Sequence, residues 1–214
     1  MENKIIPMEI EGIDDRIYST FWSRLGAYLL DVLISVPLIG LVLFINSLDK
    51  NIFFLTTIPS LLYIFWYWIY LPKRYGGTLG KLIIGLKIVK IDSSPIGWKE
   101  AFLRYIVDFG CAIINHVVRV ITILLADNEI YKSLSWLNQL EYLSSIISVI
   151  YMTILYNIWI LSGLITLLFN KRRRAIHDFI AGTVIVKSKY IEKIRNEMDE
   201  LNNRTVTTSP PSGG

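Results

Sequence analysis

The sequence predicts an all-α membrane protein, a four-helix transmembrane bundle with a short extended or β-hairpin cytoplasmic loop. Three observations lead there. Hydrophobic residues are 53% of the 214, and the mean hydropathy is +0.46, more apolar material than a soluble domain of this length hides in its core. Apolar runs near the roughly 20 residues that a helix needs to cross a bilayer recur along the chain. Lys and Arg cluster in alternate connecting segments, which is the orientation signal of membrane proteins and not the single basic patch of a nucleic-acid binder.

The elements follow in order. Residues 1–20 form a cytoplasmic N-terminal segment carrying Glu2, Glu9, Glu11, Asp14 and Asp15. It lacks the basic start and small-residue cleavage site of a signal peptide, so the first apolar run is expected to stay as an anchor. That run is 25–45, broken only by Asp31. The polar link 46–51 is short and predicts an antiparallel hairpin with a second span at 52–71. Trp66, Tyr67, Trp68 and Tyr70 close that span and read as a headgroup belt. Residues 72–99 read as a soluble loop, with a short hairpin or extended segment in the Ile- and Val-rich stretch 82–91. A third span is expected at 102–125, a polar loop at 126–142, and a fourth span at 144–169. After it come the basic run Lys171, Arg172, Arg173 and Arg174, and then 188–214, a charged tail. Residues 190–201 suit an exposed helix, and 202–214 suit disorder.

Basic residues decide the topology. Lys4, Arg16 and Arg24 flank the first span, and the first link has only Lys50. Lys73, Arg74, Lys81, Lys87, Lys90 and Lys99 crowd the second connection, Lys132 stands alone in the third, and Lys171 to Arg174 follow the fourth span. Rich and poor segments alternate only if the third helix spans. As an amphipathic surface helix it would put the last basic run outside. Both termini are then cytoplasmic, in a bacterial cytoplasmic membrane.

Two helices carry intramembrane charge. At about 100° per residue, Arg104, Asp108, Cys111, Asn115, Arg119 and Thr122 form a polar stripe roughly 80° wide on the third. Charges in hydrocarbon are tolerated when they face other helices, one another or water, so the stripe is expected to face the interior of a bundle or an oligomer. Arg104 and Asp108, one turn apart, can pair. On the first helix Arg24 and Asp31 share a face. Ser35 is one turn further, and Pro37 leaves a carbonyl without its donor. Two readings stand. Asp31 is part of a proton or cation site, or it pairs with Arg104 or Arg119 and holds the bundle together.

The stretch from Phe21 through Trp22, Ser23, Arg24, Leu25, Gly26 and Ala27 to Leu30 and Asp31 resembles the opening signature of the RDD family of membrane proteins. That family is named for one arginine and two aspartates. The run from Arg172 to Thr183 is similar to its C-terminal stretch and matches Asp178 to the second aspartate. Gly77, Thr78, Gly80 and Lys81 match its Gly-x-Thr-Pro-Gly-Lys loop, with Leu79 where proline is usual, and Arg104 matches the arginine that opens its next helix. The resemblance covers 17–187. It implies a role for Arg24, Asp31 and Asp178 in ion or proton handling, since some members are assigned sodium–proton antiport. A pairing of Arg24 with Asp178, tying the last motif to the first helix, is a further expectation.

Other chemistry is excluded on the residues. Cys111 is alone, so neither a disulfide nor a thiolate metal cluster can form. His177 has only His116 as a second histidine, and that one is expected deep in the membrane, so a His-based metal site is not expected. Gly76 to Lys81 is too short for a phosphate loop and has Leu82 where Ser or Thr would hold magnesium. No nucleophile is set beside a base. No enzyme, cofactor, metal or nucleic acid is expected. The expected partners are the bilayer, anionic lipid at Lys171 to Arg174, and a second copy or another membrane protein docked on the polar faces. Transport of a small cation or proton competes with the role of a non-catalytic membrane subunit or scaffold.

Overall fold

The structure, a computed structural model, describes residues 5–10, 13, 15–148 and 150–207, without the side chains of 151, 152 and 202–207. α1 (Phe21–Leu48) starts where the Thr20 hydroxyl accepts the Ser23 N–H at 3.2 Å, an N-cap. α2 (Ile52–Phe65) continues through a π turn at Trp66–Tyr70 into α3 (Leu71–Tyr75). Gly76, with φ +83, ends that run by donating its N–H to the Pro72 carbonyl. α4 (Leu79–Ile83), β1 (Leu86–Lys90) and α5 (Trp98–Leu125) follow, the last with the Glu100 carboxylate accepting the Gly97 N–H at 2.8 Å. Then come α6 (Asn128–Ser133), α7 (Trp136–Ile146), α8 (Ile150–Phe169), α9 (Ile176–Ile180), β2 (Thr183–Lys187) and α10 (Ile191–Thr207).

The protein is mainly helical. Phe21–Leu48, Ile52–Ile83 and Trp98–Leu125 are long and apolar enough to cross a membrane. α8 is apolar but shorter, at 20 residues. It begins at 150 and not at 144, because residues 144–146 complete the amphipathic α7. The polar loop expected at 126–142 is thus mostly two helices. Their polar residues cap and pack: Asp127 accepts the Glu129 and Ile130 N–H groups, and Gln139 donates to the carbonyls of Ser47, Tyr131 and Leu134. Lys50, the one basic residue of the first link, donates to the Ile123 and Ala126 carbonyls at the end of α5, where a cation suits the helix dipole.

The extended segment is corrected in one respect. β1 has no local hairpin partner beyond an isolated bridge between Val89 and Pro95. Its partner is β2, nearly a hundred residues later, antiparallel with Ile88 opposite Ile185. Each strand buries apolar residues on both of its faces. Leu86, Ile88 and Ile185 pack with Ala27, Ile69, Ile96 and Ala101 at the ends of the membrane helices. Val89, Val184 and Val186 pack with Ile6, Ile17, Tyr18, Ile194 and Met198. The flanking segments are therefore built into the fold. Tyr18 bridges Val186, and α10 buries Ile191, Ile194 and Met198 at helical spacing, where the sequence suggested an exposed helix. The α10 backbone runs on through Thr207, into the stretch expected to be disordered, and 208–214 lie outside the described residues.

Candidate functional site

Two buried polar networks join the sheet and its loops to the membrane helices. The first centres on Asp178, fully buried in α9. Arg24 on α1 donates to Asp178 Oδ2 at 2.7 Å, and Arg104 on α5 makes an ion pair with Oδ1. The Ala175 N–H also reaches Oδ2, at 2.9 Å. The two guanidiniums are held from behind. Arg24 Nε donates to Ser19 and its Nη2 to the Arg173 carbonyl, which a left-handed backbone at Arg173 (φ +53) presents. Arg104 donates to the Thr183 hydroxyl at 2.7 Å. Burial by itself would raise the Asp178 carboxyl, but Arg104 and Arg24 overcome it and hold the group well below the usual carboxylate range. Burial, with Arg104, Arg24 and Lys81 adding to it, lowers neighbouring His177 to about 3 against the opposing pull of Asp178.

The second network centres on Asp31, also buried. Tyr67 Oη and the Gly80 N–H both donate to Oδ1 at 2.7 Å, and the Thr78 hydroxyl donates to Oδ2 at 2.6 Å. Lys81 stands 3.8 Å from Oδ2 and donates to Thr78. The carboxylate thus closes the first turn of α4 from across the interface. Gly80 is needed for that approach, since a Cβ there would collide with the Ala27 carbonyl and lie 2.7 Å from Asp31 Oδ1. The Ser35 hydroxyl donates to the Asp31 main-chain carbonyl and meets Tyr63, each at 2.9 Å. It is taken up by the protein, and so are the carboxylate oxygens.

These contacts revise several pairings. Arg24 and Asp178 meet, as expected. Arg104 turns to Asp178 and not to Asp108. Asp31 pairs with neither Arg104 nor Arg119. The polar stripe of α5 divides along its length: Arg104 and Thr122 are buried, Asp108, Cys111 and Arg119 half-buried, and Asn115 exposed. Its middle lines two adjoining cavities that share Asn115. One, of about 230 Å³, holds Asp108, Cys111 and Tyr156 of α8, with the Tyr156 hydroxyl 3.1 Å from Asp108. The other, of about 290 Å³, lies among α2, α5 and α7 and holds His116, Arg119 and Ser144. Of the basic run, Lys171 is exposed, while Arg174 donates to the Thr183 and Asp178 carbonyls and sits over the Phe179 ring.

The model of the RDD family matches residues 18–182. The chain belongs to the RDD family. It is similar to the uncharacterized protein YckC of Bacillus subtilis (strain 168), 29% identical over 183 residues that cover 85% of this chain and 92% of that protein. In this RDD protein the signature residues all sit where the small sheet and its loops meet the first and third long helices. The sequence gives no sign that Tyr67 belongs with them. In a row of aromatics it looks like one more belt residue, yet it is buried within the π turn beside exposed Trp66. Thr183 and Ser19 are equally unmarked in the sequence, since a hydroxyl beside a strand or a cap has no distinctive neighbours.

The RDD loop explains its own departure. Leu79 is the first residue of α4, after Thr78 with ψ 165. The helix forms without proline, and Leu82 donates to the Thr78 carbonyl at 3.0 Å. Proline is well suited to that first position, and the extended Thr78 is compatible with a following proline. Leu79→Pro is expected to raise stability by about 0.4–1 kcal/mol, read as a higher melting temperature in detergent. A lower one would show that Leu79 packing outweighs the chain stiffening.

Proposed function

We propose that this RDD protein handles a proton or small cation at Asp108, within a four-span membrane domain whose sheet end and both termini face the cytoplasm. The observation that supports this is a difference between carboxylates. Asp31 accepts three protein donors, and Asp178 takes two on Oδ2 and the Arg104 guanidinium as an ion pair at Oδ1. Asp108 accepts from the Tyr156 hydroxyl, has Trp159 as a second neighbour on α8, and borders a cavity. Among the described residues no cation lies within ion-pair distance of it. On a helix centred on the bilayer, Asp108 stands ~5 Å from the midplane. An ionisable group kept at such depth marks an ion or proton path by default. The basic residues at the sheet end support the orientation, and contact of Lys171 with anionic headgroups belongs to the same reading.

The test is flux. The purified protein in liposomes is expected to dissipate an imposed sodium or proton gradient, followed with a trapped pH dye. Asp108→Asn should bring the rate to background while its melting temperature stays near wild type. Asp31→Asn, scored per folded molecule, should retain most of it. Undiminished flux in Asp108→Asn would overturn the assignment. A second reading, a docking subunit, is favoured by one observation: Asn115, a polar residue of the α5 stripe, is exposed. A stoichiometric membrane partner, with no flux from the wild type, would select it.

A further inference from the structure

We infer that Arg119 anchors a phosphate oxyanion in the cavity among α2, α5 and α7, at the end of the membrane helices opposite the sheet. Arg119 is half-buried, and among the described residues no hydrogen bond or ion pair engages its guanidinium. It is the cation of the polar stripe that has no counter-charge, for Arg104 has Asp178.

The neighbouring carboxylates are engaged or distant. Asp49 pairs with Lys132 at 3.0 Å. Asp127 caps α6 through two N–H groups. Asp108 is ~16 Å back along α5, and Glu141 of α7 is exposed. Lys50, from the link between α1 and α2, is occupied with the Ile123 and Ala126 carbonyls. The side chains around the cavity supply no anion either. His116 Nδ1 lies 2.9 Å from the Ala112 carbonyl, and Thr122 donates to the Val118 carbonyl.

Depth and shape name the class of ligand. On a helix centred on the bilayer, Arg119 lies ~11 Å from the midplane, a few ångströms inside the hydrocarbon boundary. A long side chain at that level reaches the phosphate layer. Phe53 and Leu143 give the same cavity apolar walls, suited to the glycerol and first methylenes of a lipid. A guanidinium fork matches two oxygens of a phosphate, and the bond strengthens where water is scarce. About 290 Å³ holds a headgroup phosphate with its glycerol. This site is separate from Lys171 and the basic run at the sheet end, and it does not depend on Asp108.

The full chain in detergent is titrated with phosphatidylglycerol, followed by native mass spectrometry, and with inorganic phosphate, followed by calorimetry. One phosphatidylglycerol is expected to bind at least tenfold more weakly to Arg119→Gln than to wild type. Lys171→Gln at the opposite end should leave that difference unchanged. Ser144→Trp, which fills the cavity and leaves Arg119 in place, should weaken binding to a similar extent, and it decides the matter if Arg119→Gln does not fold. Binding of the lipid alone identifies a headgroup site. Binding of inorganic phosphate in competition with the lipid identifies a site for the free ion. Equal binding of both probes to wild type, Arg119→Gln and Ser144→Trp would overturn the inference, as would no binding of either probe to wild type.

Discussion

Asp178→Asn is expected to destabilise the detergent-solubilised protein by about 3–5 kcal/mol, the range for removing one partner of a buried ion pair. At this chain length that lowers the melting temperature by about 6–20 °C. The substitution leaves two guanidiniums facing a neutral amide, with Arg104 almost fully buried and the Arg24 side chain only 11% exposed. Arg24→Gln should cost less, because Arg104 and Asp178 keep each other. A charge exchange, Arg24→Asp with Asp178→Arg, is expected not to restore stability. The new arginine would stand against Arg104, a contact that sequence reasoning on Arg24 alone does not see. A melting temperature for Asp178→Asn within about 2 °C of wild type would show that the triad does not support the fold.

The same triad sets a pH dependence. The Asp178 carboxyl titrates lower in the folded than in the unfolded protein. Its contribution is therefore complete above the unfolded carboxylate value near ~3.9 and is lost as pH falls below it. His177 is lowered to about 3, so the unfolded chain takes up a proton near its ordinary value of about 6.5 while the folded chain does not. Stability is expected to be flat above neutrality and to decline as pH falls from about 6.5. His177→Gln should remove the upper part of that decline, and Asp178→Asn should flatten the part below about 4. An unchanged profile in both variants would contradict this account.

Gly80→Val is the second large effect. A Cβ at Gly80 meets backbone, the Ala27 carbonyl, so the clash is not relieved by turning a side chain. Overpacking of this kind costs about 1–3 kcal/mol. Moving α4 away also strips Asp31 of the Gly80 N–H and the Thr78 hydroxyl, and a buried unpaired acceptor costs about 1–3 kcal/mol more. Asp31→Asn should be milder. Its oxygen can take the Gly80 N–H, and its amide can face the hydroxyl of Thr78, which can accept as well as donate. The expected order of melting temperatures is wild type, Asp31→Asn, Gly80→Val. The reverse order of the two variants would mean that the Asp31 charge, through Lys81, matters more than the close approach of α4 to α1.

Much of the architecture was legible because membrane helices announce themselves by composition. α1, the run from α2 through α3, and α5 lie where the apolar stretches put them. The RDD resemblance was carried by residues whose types cannot be exchanged: an arginine with five donors, two aspartates, a glycine at a close approach. The partners of those residues were not legible. Arg104 has Asp108 one turn away and pairs instead with Asp178, seventy-four positions on. The local pair gains little on a helix surface, while the distant one satisfies a charge that the sheet buries.

By itself, the sequence determined the long helices, the family, and which polar residues lie at positions where charge is costly. The tertiary structure alone decided that β1 pairs with β2, that α10 and the N-terminal segment cover the far face of that sheet, and that Asp31 and Asp178 are held by protein donors while Asp108 and Arg119 border cavities. The physical reason is range. Hydropathy and helical periodicity are set within a turn or two of chain. Hydrogen-bond and ion-pair partners are chosen among whatever groups packing brings together, and here packing brings together residues 24, 104 and 178.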